Sequence, residues 1–342
     1  MKPFFPDIVG NRVLCQRIGN DILTKKLSHA YILEGAKGSG KHTLALQLAA
    51  ALACEKQEEP NLPLPCGSCP SCHKILGRNS TDVIWINRED KATLGVEAIR
   101  DLKRDIYIPP NDTSAKIYII EDAHLMTTQA QNALLLTLEE PPSYVLFLLL
   151  AETSATLLET IKSRAPTLRT EPLPIGLIDP FLTKNAEAAL LKRTAPEEYA
   201  EILSACRGSI GLALELLDPK ARKPILTQRA NAREFVHLCT ERKNSFAALK
   251  FLKGLGQKRE EIIAQFQDIL YCLRDLLLLK QSEAVPLCFF TNREEATSMA
   301  YEFTTPELLA LCDQISEAVS ALQKNANVRL TLTALAVGTG LL

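Results

Sequence analysis

The sequence predicts an α/β domain on a mostly parallel sheet, followed by a region that is helical throughout. Short β-rich runs alternate with helical periodicity from about residue 20 to about residue 170. The β-rich runs are almost continuously apolar, as in strands covered on both faces. After Leu173-Pro174 the strand signal stops and only helical spacing remains.

Taken in order, Ala30-Tyr31-Ile32-Leu33-Glu34 reads as the first strand and ends on a glycine-rich turn. Lys41 to Ala53 then repeats apolar residues at helical spacing. Val83-Ile84-Trp85-Ile86 reads as a second strand, Lys116-Ile117-Tyr118-Ile119-Ile120 as a third, and Val145 to Leu150 as a fourth. Residues 175–219 read as short helices ending at Asp218-Pro219, and leucine-rich helices are expected over 262–280 and 306–323. The expected division is an α/β domain over 1–172, a small helical lid over 173–219, and an all-helical domain over 220–342.

Composition narrows the function. With 46% hydrophobic and 23% charged residues the chain is globular. Its longest uncharged apolar run, Tyr144 to Ala151, is far short of the roughly 18–20 residues of a membrane span. Met1-Lys2-Pro3-Phe4 lacks the charged-then-apolar pattern of an export signal, so a cytoplasmic location is expected, with no membrane partner. A net charge of −1 excludes a protein that holds nucleic acid by overall basicity. The ten cysteines are expected as thiols, some of them metal-bound, with Cys15, Cys206, Cys239, Cys272, Cys288 and Cys312 read as small buried side chains.

Gly35-Ala36-Lys37-Gly38-Ser39-Gly40-Lys41 lies between a strand and a helix, the context in which a glycine pattern can cradle phosphate. Gly35, Gly38 and Gly40 let backbone N–H groups converge, the helix N-terminus favours negative charge, and Lys41 is placed to reach terminal phosphates. A glycine turn serving only helix packing is the plainer alternative. The next position, normally a Mg²⁺-ligating hydroxyl, is His42, with Thr43 following. The third strand runs into Glu121-Asp122, the reverse of the usual aspartate-then-glutamate order. The carboxylate in the base position is thus about one methylene short, and misplacement of about 1 Å can cost on the order of a hundredfold in rate. The loop and Lys41 can still hold ATP, with Mg²⁺ ligation impaired, but the pattern is poorly built for hydrolysis.

Cys66-Gly67-Ser68-Cys69-Pro70-Ser71-Cys72 places three thiols at successive C-x-x-C spacing, with Cys54 upstream. Such spacing presents sulfurs about 2.3 Å from one tetrahedral zinc ion, and four of them close its shell, making the site structural. His73 is an alternative fourth ligand to Cys54, and a redox dithiol is the alternative chemistry.

Several strings together resemble the AAA+ subunits of the bacterial DNA polymerase III clamp loader: Phe5-Pro6-Asp7-Ile8-Val9-Gly10, His29-Ala30-Tyr31-Ile32-Leu33, the cysteine insertion, Asn132 to Pro142 with Leu136 where lysine is usual, and Ser163-Arg164-Ala165 with alanine where cysteine is usual. The resemblance covers about the first half of the chain. It implies an AAA+ P-loop NTPase-like domain, a helical lid and a C-terminal helical collar. Within that family the choice is between the ATP-hydrolysing gamma/tau motor subunit and the delta-prime subunit. In Gly208-Ser209-Ile210-Gly211-Leu212, Gly211 stands where a motor subunit carries a sensing arginine, and Ile119 to Met126 and Asn325 to Leu330 also resemble delta-prime. The resemblance further implies that Arg164 acts in trans on a neighbouring subunit's ATP, that Thr153 occupies the γ-phosphate-sensing position, and that the partners are gamma/tau and delta subunits in a hetero-pentamer, the sliding clamp and primed DNA. Residues 220–259 carry eleven Lys or Arg against Glu234 and Glu241, read either as a DNA- or partner-facing surface or as a solvated helix face.

Overall fold

Five parallel strands form one sheet in the order β2-β3-β4-β1-β5, with β1 Ala30–Glu34, β2 Val83–Ile86, β3 Lys116–Ile120, β4 Val145–Ala151 and β5 Thr167–Arg169. This computed structural model describes residues 2–89, 91–240, 250–252, 254–255, 258–282 and 285–338. Four strands lie where the apolar runs placed them. The fifth has only three residues, of which Leu168 alone is buried, too little periodicity to mark it. β3 and β4 are buried at every position, so both faces are covered and alternation disappears.

The helices flanking the sheet are α1 Arg12–Leu23, α2 Lys41–Leu52, α3 Pro70–Leu76, α4 Val96–Asp105, α5 Thr128–Glu139 and the single turn α6 Glu159–Lys162. One core lies on the α1-α2 side, around Ile18, Leu44, Leu48, Ile117 and Leu148. The other lies on the α4-α5 side, around Ile99, Leu102, Leu134, Tyr118 and Phe147. α2 begins because Gly40 adopts φ +90°, a left-handed conformation available cheaply only to glycine, and continues through strong helix formers. α5 begins where the Thr127 side chain accepts a hydrogen bond from the Ala130 N–H. Because β4 lies between β1 and β3, the turns leaving β1 and β3 flank the crevice at the strands' carboxyl ends, where open parallel sheets bind ligands.

Beyond the sheet come α7 Ile175–Leu182, α8 Ala186–Thr194, α9 Pro196–Ala205, α10 Ile210–Glu215, α11 Pro219–Thr240, α12 Arg259–Gln281, α13 Arg293–Tyr301, α14 Thr305–Gln323 and α15 Val328–Gly338. The described chain divides into two compact units, 1–178 with 208–212 and 179–207 with 213–342. The second is all-helical around Phe235, Phe266, Ile269, Leu276 and Ile315. Its buried charges Asp268, Asp275 and Arg229 each meet partners, although Arg229 Nε makes no hydrogen bond. Asp268 receives the Arg207 guanidinium and Gln228 Nε2 at 2.7 Å, and Asp275 accepts N–H bonds from Cys288, Phe289 and Phe290 at 2.9, 2.7 and 3.2 Å. Arg229 donates to Ser204 Oγ at 2.6 Å with its guanidinium 4.4 Å from the Phe289 ring. Removing one partner of such a buried charge is far more damaging than never having built the pair.

Candidate functional site

Two regions of the first unit carry the chemistry that the sequence points to. At the phosphate loop, Lys41 is buried, and its ammonium donates to the carbonyls of Gly35 at 2.5 Å and Ala36 at 2.8 Å. Burial pushes Lys41 below the usual lysine range, and the carboxylates of Glu152 and Asp122 partly offset this. The His42 ring stacks on Trp85, with 6.1 Å between centroids and 8° between planes, and its Nε2 lies 3.2 Å from Glu121 Oε1. Asp122, in a left-handed conformation at φ +49°, accepts from Arg88 Nε at 3.0 Å. Thr43 is exposed at the start of α2, and Thr153 caps its own turn by accepting from the Ala155 N–H at 3.2 Å.

The arrangement does not fit Mg²⁺-nucleotide as it stands. The lysine that should meet phosphate is bonded to its own loop. An imidazole occupies the hydroxyl position and engages one carboxylate, while Arg88 holds the other. Arg88 and Trp85 escape sequence reasoning because neither belongs to a nucleotide motif. Their signal is positional, since both sit at or just past the carboxyl end of β2, whose neighbour β3 carries the carboxylates.

The cysteine region is arranged differently. Sγ atoms of Cys54, Cys66, Cys69 and Cys72 all lie within 4.8 Å of one another, the Cys66–Cys72 separation being 3.9 Å. Four sulfurs about 2.3 Å from one tetrahedral ion would lie about 3.8 Å apart, so this donor set fits zinc. His73 is not part of the group. The backbone builds the site: Cys69 is the N-cap of α3, its sulfur accepting from the Cys72 N–H at 3.4 Å, and Pro70 starts the helix. The N–H groups of Ser68 and Cys69 donate to Cys66 Sγ at 3.4 Å each. Burial works to raise the Cys66 thiol, but bonds from the Ser68 hydroxyl and these N–H groups outweigh it and bring it to about 6. Burial pushes the thiols of Cys54 and Cys72 up.

Arg164 follows α6 on the same unit. Its NH2 lies 3.0 Å from Glu139 Oε1 at the end of α5, and its NH1 donates to the Thr160 carbonyl at 3.1 Å. Neighbouring Ala165 is fully buried, so the position where the family has cysteine is here filled by a small core side chain. Of the described cations of the basic stretch, Lys220, Lys223, Lys250 and Lys258 are exposed, while several arginines turn into the second unit itself. Arg222 and Arg229 are buried, Arg222 pairs with Glu198 at 2.7 Å, and Arg259 donates to Asn325 at 2.7 Å. Glu241, Arg242, Lys243 and Lys253 lie outside the described residues.

No described helix is long and apolar enough to cross a membrane. Residues 10–174 match the family model described as "DNA polymerase III, delta subunit". DNA polymerase III subunit tau of Bacillus subtilis is 31% identical over 289 residues, covering 81% of this chain and 50% of that protein. Subunit gamma of a Buchnera aphidicola strain is 33% identical over 218 residues, covering 63% of this chain and 57% of its own length. The chain therefore spans about half the length of these relatives. A solved structure of a DNA polymerase III gamma subunit-related protein from Thermotoga maritima aligns over 95% of this chain and 98% of its own, at 19% identity and TM-score 0.41. With its five-stranded parallel sheet, its glycine loop after β1 and its acidic pair after β3, the chain is similar to tau and gamma subunits of DNA polymerase III and, over residues 10–174, to the delta-subunit family of the same polymerase.

Proposed function

We propose that the chain is a non-motor, delta-prime type subunit of the clamp loader, which helps to load a ring-shaped sliding clamp onto primed DNA in the cytoplasm. The observation that carries this reading is the engagement of the nucleotide-site side chains with one another: Lys41 with Gly35 and Ala36, His42 with Glu121, and Asp122 with Arg88. A site so arranged is suited to structure. The part played in ATP chemistry falls to Arg164, whose planar, permanently charged guanidinium suits the oxygens of a transferring phosphoryl group. It would act on the ATP of a neighbouring gamma/tau subunit, within a hetero-pentamer that also holds a delta subunit. Residues 173–219 would serve as the lid and residues 220–342 as the collar that joins the subunits. Zinc would be held by Cys54, Cys66, Cys69 and Cys72, where it would cross-link the loop between α2 and α3; with four protein ligands it leaves no position for a reacting water.

The names of the curated relatives, tau and gamma, favour a second reading, an ATP-hydrolysing motor subunit. Turnover decides between the two. The isolated chain should show negligible ATPase activity. In a complex reconstituted with gamma/tau and delta subunits, Arg164→Ala should lower clamp- and DNA-stimulated turnover by about a thousandfold. Unchanged turnover would remove Arg164 from the mechanism, and brisk hydrolysis by the chain alone would establish the motor reading.

A further inference from the structure

Arg164 leaves the surface of the first unit from a pinned backbone. The N–H groups of Arg164 and Ala165 both donate to the Ile161 carbonyl, at 3.0 and 2.9 Å, and Ile161 and Ala165 are fully buried. Only the side chain is left to settle, and a long arginine free in water samples many rotamers.

Here the guanidinium is held at three points. Nη1 donates to the Thr160 carbonyl at 3.1 Å and to Ser163 Oγ at 3.4 Å, and Nη2 donates to Glu139 Oε1 at 3.0 Å. The first two acceptors belong to the arginine's own turn. Glu139 stands 25 residues away in sequence as the last residue of α5, a helix seated by the fully buried Leu134 and Leu138 and ended before Pro141-Pro142. Two of the five guanidinium N–H donors, one on Nε and one on Nη2, meet no acceptor among the described residues, which leaves them for an outside anion. The side chains of Arg164 and Glu139 remain 35% and 49% exposed, so the pair lies open to a neighbouring molecule.

We infer that Glu139 is the positioning residue of Arg164: its carboxylate, carried on α5, sets the direction in which the guanidinium faces a neighbouring subunit's phosphate, without touching that phosphate itself. This deepens, and rests on, the reading of Arg164 as an arginine that acts in trans. An ion pair this exposed adds little to stability. Its value is pre-organisation, since a guanidinium already oriented loses less freedom when it meets a transferring phosphoryl group. An amide at position 139 keeps an oxygen acceptor in place, whereas a methyl group keeps none.

The test is steady-state ATP turnover by the complex reconstituted with gamma/tau and delta subunits, sliding clamp and primed DNA, with each variant of this chain in turn. Glu139→Ala should lower kcat about tenfold and leave KM for ATP unchanged, because the arginine's orientation matters in the transition state while the neighbour's own loop binds the nucleotide. Glu139→Gln should recover to within about threefold of the parent. The double variant of Glu139→Ala with Arg164→Ala should be no slower than Arg164→Ala alone, since nothing is then left to position. Melting curves of the isolated parent, Glu139→Ala and Glu139→Gln chains should coincide, which separates positioning from folding. If Arg164→Ala slows the complex while Glu139→Ala leaves turnover unchanged or raised, or Glu139→Ala and Glu139→Gln lose equally, the positioning role is overturned. Unchanged turnover in Arg164→Ala would overturn the reading beneath it, and the positioning role with it.

Discussion

The phosphate loop and the cysteine knuckle lie in the same unit and were equally visible as motifs, yet their side chains meet different fates. In the knuckle four sulfurs converge on one point, supported by backbone N–H groups, with geometry matching a single ion. At the loop the Lys41 ammonium, the His42 imidazole and the carboxylates of Glu121 and Asp122 already have partners inside the protein. Motif spacing reports that the right residue types are close together. Whether they face an outside ligand or each other depends on neighbours that the motif does not include.

The largest effect expected from breaking this contrast is at the knuckle. Cys72→Ser should abolish stoichiometric zinc and destabilise the first unit by about 4 kcal/mol or more, because loss of a structural metal leaves buried thiols without their cross-link. Metal analysis of the freshly purified reduced chain, with melting curves of parent and variant, measures both. Full stability without zinc would remove the knuckle's structural role.

A middle effect is expected at Asp82, a buried carboxylate that needs no outside ligand at all. It accepts from the N–H groups of Asn111, Asp112 and Thr113, each at 2.8 Å. Burial works to raise this carboxyl, but the three N–H groups and the Thr113 hydroxyl outweigh it and hold it below the usual carboxylate range. With the folded value depressed, the stabilisation is fully present above the ordinary aspartate range and is lost as pH falls through the folded value. Asp82→Asn should therefore cost about 2 kcal/mol at neutral pH, and parent and variant should converge in acid. Denaturant curves across pH measure it, and a pH-independent difference would contradict the assignment.

The smallest effect sharpens the contrast most. If Lys41 serves the folded loop, Lys41→Ala should lower stability by about 1 kcal/mol, the net worth of its hydrogen bonds to Gly35 and Ala36 after the relief of desolvation. A lysine kept for phosphate would instead leave stability unchanged or raised when removed. Denaturant midpoints distinguish the two.

Much of this was legible beforehand. β1, β2 and β3 coincide with apolar runs read directly from the chain, as do the starts of α2 and β4, because local periodicity and burial agree there. β5 was not legible, since its three residues bury one side chain. Residues 54 and 66–72 could be read as a ligand set because C-x-x-C spacing is itself a statement about turns. Arg88, Trp85 and Ser209 could not, because their importance comes from the partners that strand pairing and chain return bring to them: Asp122, His42 and the Lys37 carbonyl. In the basic stretch the burial of Arg222 and Arg229 was not legible either, because net charge by segment does not reveal which cations turn to the interior.

The discontinuity of the first unit has a consequence in time. The loop carrying Gly38 leaves the ribosome long before residues 208–212 of the same unit. At synthesis rates of about 5–20 residues per second, the nascent domain exists for on the order of ten seconds or more without the residues that later bond the Lys37 and Gly38 carbonyls. The first unit is thus completed only after residues 179–207, which belong to the second, have been made.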